Sequence, residues 1–265
     1  MKRYVSLTML IFFACTILAQ TAKETKRSEV ELDKINNSTV IFTLGQSNSA
    51  NYGQKQYLYT AKQNVYNYFE GKLYKAQDPL LGATGTGASV WGILGDKLIE
   101  ANLAKSVTII PIGIGSVTVG SWSEGGRNHA LLEKTLDDLK ARNIHIDCIC
   151  WHQGESDNIM NTSTENYIKR FLSIRETFRE KGFNAPIVVA VASYHPLCLE
   201  EDHGCSENIR KAQKQLAKDY KDIYPGPDTD KLNKCYQRAD GIHFSHVGQQ
   251  LHADLWVKAL RKILK

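Results

Sequence analysis

After Ala19 the chain has no apolar run that approaches the roughly 20 residues a membrane-spanning helix needs. It has no cluster of basic residues interleaved with aromatics, and its net charge of +5 is spread along the sequence, so nothing points to a nucleic-acid partner. No internal repeat or low-complexity block interrupts it. The stretch Gly82-Ala83-Thr84-Gly85-Thr86-Gly87-Ala88-Ser89 is glycine-rich. It lacks the preceding strand and the acidic residue about twenty positions on that a dinucleotide site requires. It reads as a flexible loop with Ser89 capping the helix that follows. The Gly-x-Ser-x-Gly nucleophile elbow is also missing, because the residue two after Ser47 is Ser49.

Cysteine is sparse. Of six, Cys15 falls in the first apolar run and five remain after it. Cys148 and Cys150 stand two apart in an apolar strand and point to the same face as buried thiols. Cys198 and Cys205 bracket a polar loop and are the disulfide candidates, with Cys235 able to compete for either. A zinc site at Cys198, His203 and Cys205 has no fourth local ligand. No metal and no cofactor is expected.

Lys2 and Arg3 precede an apolar run from Tyr4 to Ala19, and polarity then rises at Gln20. A basic start, an apolar centre and a small-residue exit describe a secretory signal peptide over residues 1–20, which predicts a secreted or periplasmic protein. Phe12 and Phe13 before Cys15, and the apolar residues after it, argue against lipid anchoring there. Residues 21–37 are charged and lack hydrophobic period, the pattern of a solvated tether. Residues 38–265 then form one domain, and a chain with 42% hydrophobic and 23% charged residues suits an ordinary core.

Four strand-length runs are apolar on both faces: Val40 to Leu44, Val107 to Ile112, Ile146 to Trp151 and Ile187 to Ala192. Amphipathic segments fall between and around them: Val90 to Ala104, Leu131 to Ala141, Thr164 to about Lys181, Ser206 to Tyr220 and His246 to Leu264. Strands without polar alternation, separated by helices, predict an α/β fold. Its form is a three-layer α/β/α sandwich around a mostly parallel central sheet.

The chemistry-bearing segments follow the expected strands at their C-terminal ends, where open α/β sheets bind ligands. Gly45 permits a tight turn that presents the Ser47 hydroxyl. Asp240 and His243 are spaced so that the carboxylate can hold one imidazole nitrogen while the other acts as a base. In Trp151-His152-Gln153-Gly154-Glu155-Ser156-Asp157, the Gln153 amide can donate to a developing oxyanion. Glu155 and Asp157 can alternatively be read as paired carboxylates of a glycosidase. Tyr52, Tyr57, Trp91, Trp122 and Tyr194 are candidate stacking surfaces for sugar rings.

Together, Gly-Gln-Ser-Asn at 45–48, Trp-His-Gln-Gly-Glu-Ser-Asp at 151–157, Gly-Pro-Asp-Thr-Asp at 226–230 and Asp-Gly-Ile-His-Phe-Ser at 240–245 resemble the sialate O-acetylesterase and acetyl-xylan esterase branch of the SGNH hydrolases. The resemblance spans about Ser38 to Leu264 and implies a flavodoxin-like SGNH fold. It makes Ser47 the nucleophile, His243 the base and Asp240 its orienting acid. The Ser47 amide, a Gly115 amide and the Gln153 side chain become the oxyanion hole, with Gln46, Asn48 and Glu155 supporting. The branch often has paired glycines where this chain has Gly115-Ser116, so Gly113 is the alternative donor. The implied activity is removal of O-acetyl groups from an acetylated carbohydrate through an acyl-enzyme. The competing readings are a catalytically silent carbohydrate-binding protein and the glycosidase above.

Overall fold

The computed structural model describes residues 27–198 and 202–264. The expected signal peptide, Cys15 and the first part of the tether lie outside the described residues. The tether's second part is folded, which corrects its expected boundary at Asn37. Strand β1 (Glu29–Val30) is followed by a 3₁₀ turn, Leu32–Asn37, that buries Ile35. Ile35, with Val30 and Leu32 packed beside it, docks this otherwise charged stretch on the sheet.

The central sheet has eight strands in the order β1-β4-β3-β5-β2-β6-β7-β8. Strands β2 (Thr39–Gly45), β3 (Val65–Phe69), β5 (Val107–Pro111), β6 (Cys148–His152), β7 (Ile187–Val191) and β8 (Ile223–Asp228) run parallel. β4 (Lys72–Lys75) turns back against β3, and β1 pairs antiparallel with β4. The four strands expected from apolar runs are β2, β5, β6 and β7.

Period-two alternation splits these strands between two cores. Val40, Phe42, Leu44, Ile149, Trp151, Ile187 and Val189 face one side; Ile41, Cys148, Cys150, Val188 and Ala190 face the other. Three helices cover the first face: α2 (His129–Ala141) through Leu132, Leu136 and Leu139, α4 (Thr164–Glu180) through Tyr167, Phe171, Ile174 and Phe178, and α5 (Glu207–Asp219) through Ile209, Ala212 and Leu216. The second face is covered by α1 (Val90–Glu100), with Trp91, Leu94 and Leu98, and by α6 (His246–Leu260), with Ala253, Trp256 and Leu260. The result is the three-layer sandwich. A short helix α3 (Glu155–Ile159), absent from the sequence expectations, opens directly after β6.

β2 lies between β5 and β6, so the chain leaves it toward one side of the sheet and later returns on the other. This reversal opens a crevice outside the carboxyl ends of β2, β5 and β6. It is where Ser47, Ser116 and Asp157 converge.

Candidate active site

Gly45 sets the turn that carries Ser47. Its φ is +145°, and a Cβ there would stand 2.0 Å from the carbonyl oxygen of His152 on the neighbouring strand. Only glycine fits. The chain then enters a single 3₁₀ turn, Ser47–Ser49. Ser47 is 4% exposed and lines a cleft of about 1020 Å³ together with Gln46, Ser116, Thr118, Asp157, Ile242 and His243. Among the described residues its side chain makes no hydrogen bond, and its amide N–H has no acceptor.

His243 reaches the same cleft from the loop before α6. Asp240 accepts three hydrogen bonds from this loop: His243 Nδ1 to Oδ2 at 2.6 Å, His243 N to Oδ1 at 2.7 Å and Ile242 N to Oδ1 at 3.0 Å. Burial works to raise the Asp240 pKa, but the hydrogen bonds from His243 and Ile242 outweigh it and hold the carboxyl below its ordinary range. An ionised carboxylate only accepts, so Nδ1 carries a proton, and in the neutral imidazole the lone pair is on Nε2. Tyr52 stacks on the imidazole, ring centroids 5.3 Å apart at 26°.

Asn48 joins the serine turn to this loop. Its Nδ2 donates to Glu155 Oε1 at 2.8 Å and to the Ile242 carbonyl at 3.3 Å. The same carbonyl accepts from Arg238 Nη1 at 2.6 Å. Arg238 is 6% exposed and also donates to the carbonyls of Leu232 and Thr229. Its guanidinium lies 3.9 Å from the centroid of Phe244 and 5.2 Å from that of Tyr194. Glu155 is buried, its Oε2 has no partner among the described residues, and burial pushes its pKa up to about 7.

Two expected oxyanion donors have other partners. The Gly115 N–H donates to Thr84 Oγ1 at 2.9 Å, which ties the glycine-rich loop to the end of β5. That loop is also fixed by Asn51, which donates to the carbonyls of Leu80 and Ala83, so it is anchored rather than flexible. Gln153 is fully buried and does not line the cleft. Its Nε2 donates to Gln46 Oε1 at 3.1 Å, Val117 O at 3.0 Å and Asp157 Oδ2 at 2.5 Å, so it has no N–H to spare. Gln46 Oε1 also accepts from the amides of Gly154 and Ser156, which fixes the serine turn against α3. Next to Gly115, Ser116 lines the cleft with a left-handed φ of +56°, and its N–H has no acceptor among the described residues.

Glu155 and Asp157 do not form a facing pair of acids. Glu155 lies outside the cleft lining, and both Asp157 oxygens are engaged, Oδ2 with Val119 N and Gln153, Oδ1 with Thr162 Oγ1. Trp91 and Trp122 are buried core residues, donating to the carbonyls of Ser49 and Gly45, and offer no face to a sugar. Tyr57 is half-exposed but stacks on His246. The Cys235 thiol is exposed and free, while Cys148 and Cys150 are buried in β6 as expected. Among the described residues no group of three His, Cys, Asp or Glu is placed to hold a metal, and no helix is long and apolar enough to cross a membrane.

The sequence reading missed Arg238, Tyr52's place on His243, Thr84 and the cleft residues Arg127, Arg170 and His195. None carries a local signal, because each acquires its role from chain brought together by the sheet.

The fold recurs in solved structures. An Arabidopsis thaliana protein matches with a TM-score of 0.66 at 16% identity, over 86% of this chain and 100% of that one. A carbohydrate acetylesterase from Xanthomonas citri matches with a TM-score of 0.57 at 12% identity, over 85% of this chain and 56% of that one. A putative GDSL-like lipase from Parabacteroides merdae gives 0.55 at 18% identity, over 86% and 97%. At such identities the likeness establishes the fold alone. No functionally curated protein matches in sequence. The family model for "Carbohydrate esterase, sialic acid-specific acetylesterase" matches residues 37–261, from the start of β2 to the end of α6 and across every segment of the cleft. The chain therefore belongs to that family of carbohydrate esterases, and is a carboxylic ester hydrolase.

Proposed function

We propose that this protein is a secreted or periplasmic serine esterase that removes O-acetyl groups from carbohydrate, with Ser47 as nucleophile, His243 as base and Asp240 as the acid that orients it. His243 Nε2 takes the Ser47 proton as Oγ attacks the acetyl carbonyl, then returns it to the departing sugar oxygen. Water activated by the same nitrogen releases acetate from the acyl-enzyme. The amides of Ser47 and Ser116, both without acceptors among the described residues, hold the oxyanion. Gly115 and Gln153 act one step back, fixing the loops that carry these amides.

The observation that carries this reading is the 2.6 Å bond from His243 to Asp240 in a cleft shared with an unengaged Ser47. The test is acetate release from O-acetylated glycans by the wild type and Ser47→Ala. Loss of release in the variant is the expected result. Undiminished release would remove Ser47 from the mechanism, and glycan binding with no release by either protein would favour a silent binder.

A further inference from the structure

The glycine-rich loop at 82–89 takes no part in the acyl transfer described above, yet its Thr84 is bonded to both sides of the site. The Thr84 hydroxyl uses all the hydrogen-bonding capacity it has. Its Oγ1 accepts from Gly115 N at 2.9 Å and from the Tyr52 hydroxyl at 3.4 Å, and donates to the Gly113 carbonyl at 3.5 Å. The bond to Gly115 is the short one and the other two are long. The Thr84 backbone holds the same two segments: its N–H donates to Gly113 O and its carbonyl accepts from Asn51 N, both at 2.9 Å. Thr84 and Tyr52 are both outside the cleft lining, so they act on the site from behind it.

The two donors to Oγ1 lead to opposite halves of the site. Gly115 precedes Ser116, whose left-handed φ of +56° a residue with a Cβ keeps only where its surroundings hold it. Tyr52 lies on the His243 imidazole, ring centroids 5.3 Å apart. Glycines let these parts meet. A Cβ at Gly115 would stand 2.4 Å from the Tyr52 hydroxyl oxygen, and one at Gly85 would stand 2.3 Å from the Asn51 carbonyl oxygen. Without side chains there, the loop comes close enough for one hydroxyl to reach both Tyr52 and Gly115.

We propose that Thr84 is a positioning residue: its hydroxyl fixes the Ser116 amide through Gly115 and the His243 ring through Tyr52, so that oxyanion donor and base keep one spacing about the Ser47 hydroxyl. This rests on the esterase reading above. A misplacement of about 1 Å among reacting groups can cost a hundredfold in rate, so loss of the hydroxyl falls on kcat.

The test compares kcat and KM for 4-nitrophenyl acetate, which carries no sugar, in the wild type, Thr84→Val, Thr84→Ser, Tyr52→Phe, the Tyr52→Phe/Thr84→Val double variant and Thr86→Val. Thr84→Val keeps the shape and removes the hydroxyl, and its kcat is expected to fall about 10- to 100-fold with KM within about twofold. Thr84→Ser restores kcat to within about threefold of the wild type, because the hydroxyl is back. Tyr52→Phe keeps the ring on His243 and loses the longer bond, so its kcat falls less, by about three- to tenfold. The double variant falls no further than Thr84→Val, since Tyr52 acts through the hydroxyl already removed. Thr86, in the same loop, has a hydroxyl that makes no hydrogen bond among the described residues, and Thr86→Val keeps the wild-type kcat. The proposal is overturned by an unchanged kcat in Thr84→Val, by an equal loss in Thr84→Ser or Thr86→Val, or by losses that multiply in the double variant. Should Thr84→Val fail to fold, a wild-type kcat in Tyr52→Phe overturns it. Hydrolysis that persists in Ser47→Ala overturns the esterase reading itself, and the role of Thr84 with it.

Discussion

Asn48 and Ile242 stand 194 positions apart in sequence, yet the Asn48 amide donates to the Ile242 carbonyl at 3.3 Å, linking the residue after Ser47 to the residue before His243. This bond joins the two loops that the proposed mechanism needs side by side. Asn48→Ala removes it together with the donor to Glu155. The expected result is a fall in kcat of about 10- to 100-fold, since small misplacements of reacting groups cost this much. Steady-state hydrolysis of 4-nitrophenyl acetate measures it, and an unchanged kcat in a folded variant would show the link to be dispensable.

Asp240→Asn keeps an oxygen and the size of the side chain but removes the charge that holds His243 Nδ1–H. A turnover loss on the order of a hundredfold or more is expected, with the fold retained. Circular dichroism and acetate release together check both halves of that statement.

Arg238 holds three backbone carbonyls, those of Thr229, Leu232 and Ile242, from a buried position. Arg238→Met fills similar space but leaves all three without this donor. We expect a destabilisation on the order of 3 kcal/mol in urea unfolding, because unmade buried hydrogen bonds cost about 1 kcal/mol or more each.

Glu155 gives the fold a pH dependence whose sign is fixed. Its carboxyl ionises near 7 in the folded chain against an ordinary 4.5. As pH rises from below 4.5 through 7, the unfolded chain loses this proton first, so the stability it contributes at low pH is lost. Glu155→Gln keeps an oxygen for Asn48 and removes the titration. The urea midpoint of the variant should gain on that of the wild type across this window, by up to about 3 kcal/mol in stability. Parallel pH profiles of the two proteins would contradict it.

Gly45→Ala is expected to lower the thermal midpoint and activity together. Its Cβ meets the His152 carbonyl at 2.0 Å, and relief of that clash has to move the strand end that presents Ser47.

Much of this architecture is legible in the sequence. β2, β5, β6 and β7 are apolar on both faces because helices cover both sides, and a run of that kind announces itself. β8 does not, since Pro225, Gly226 and Pro227 read as a turn and are tolerated only because the strand lies at an edge. β3 is hidden by Asn67, a fully buried amide satisfied by the Leu81 backbone, which breaks the apolar pattern. In the site, Ser47, Asp240 and His243 are visible because their types and order are unusual together. Gln153 is visible as an amide, but its three acceptors come from three separate segments and no local pattern encodes them. Arg127, Arg170 and Arg238 look like ordinary surface arginines until the fold buries Arg238 against three backbone carbonyls and places the other two along the cleft.

The two rims of the sheet bear on how the protein behaves at high concentration. One rim is β1, only two residues long, with Glu29 paired to Lys72 on β4 at 2.9 Å. The other is β8, where two prolines remove amide hydrogens from the strand. Neither rim offers an unbroken row of donors on which a strand from another molecule could grow, so this mostly parallel sheet is guarded against stacking edge to edge. Residues 29–37 belong to that guard, and removing them would bare β4 as a new, longer rim open to aggregation.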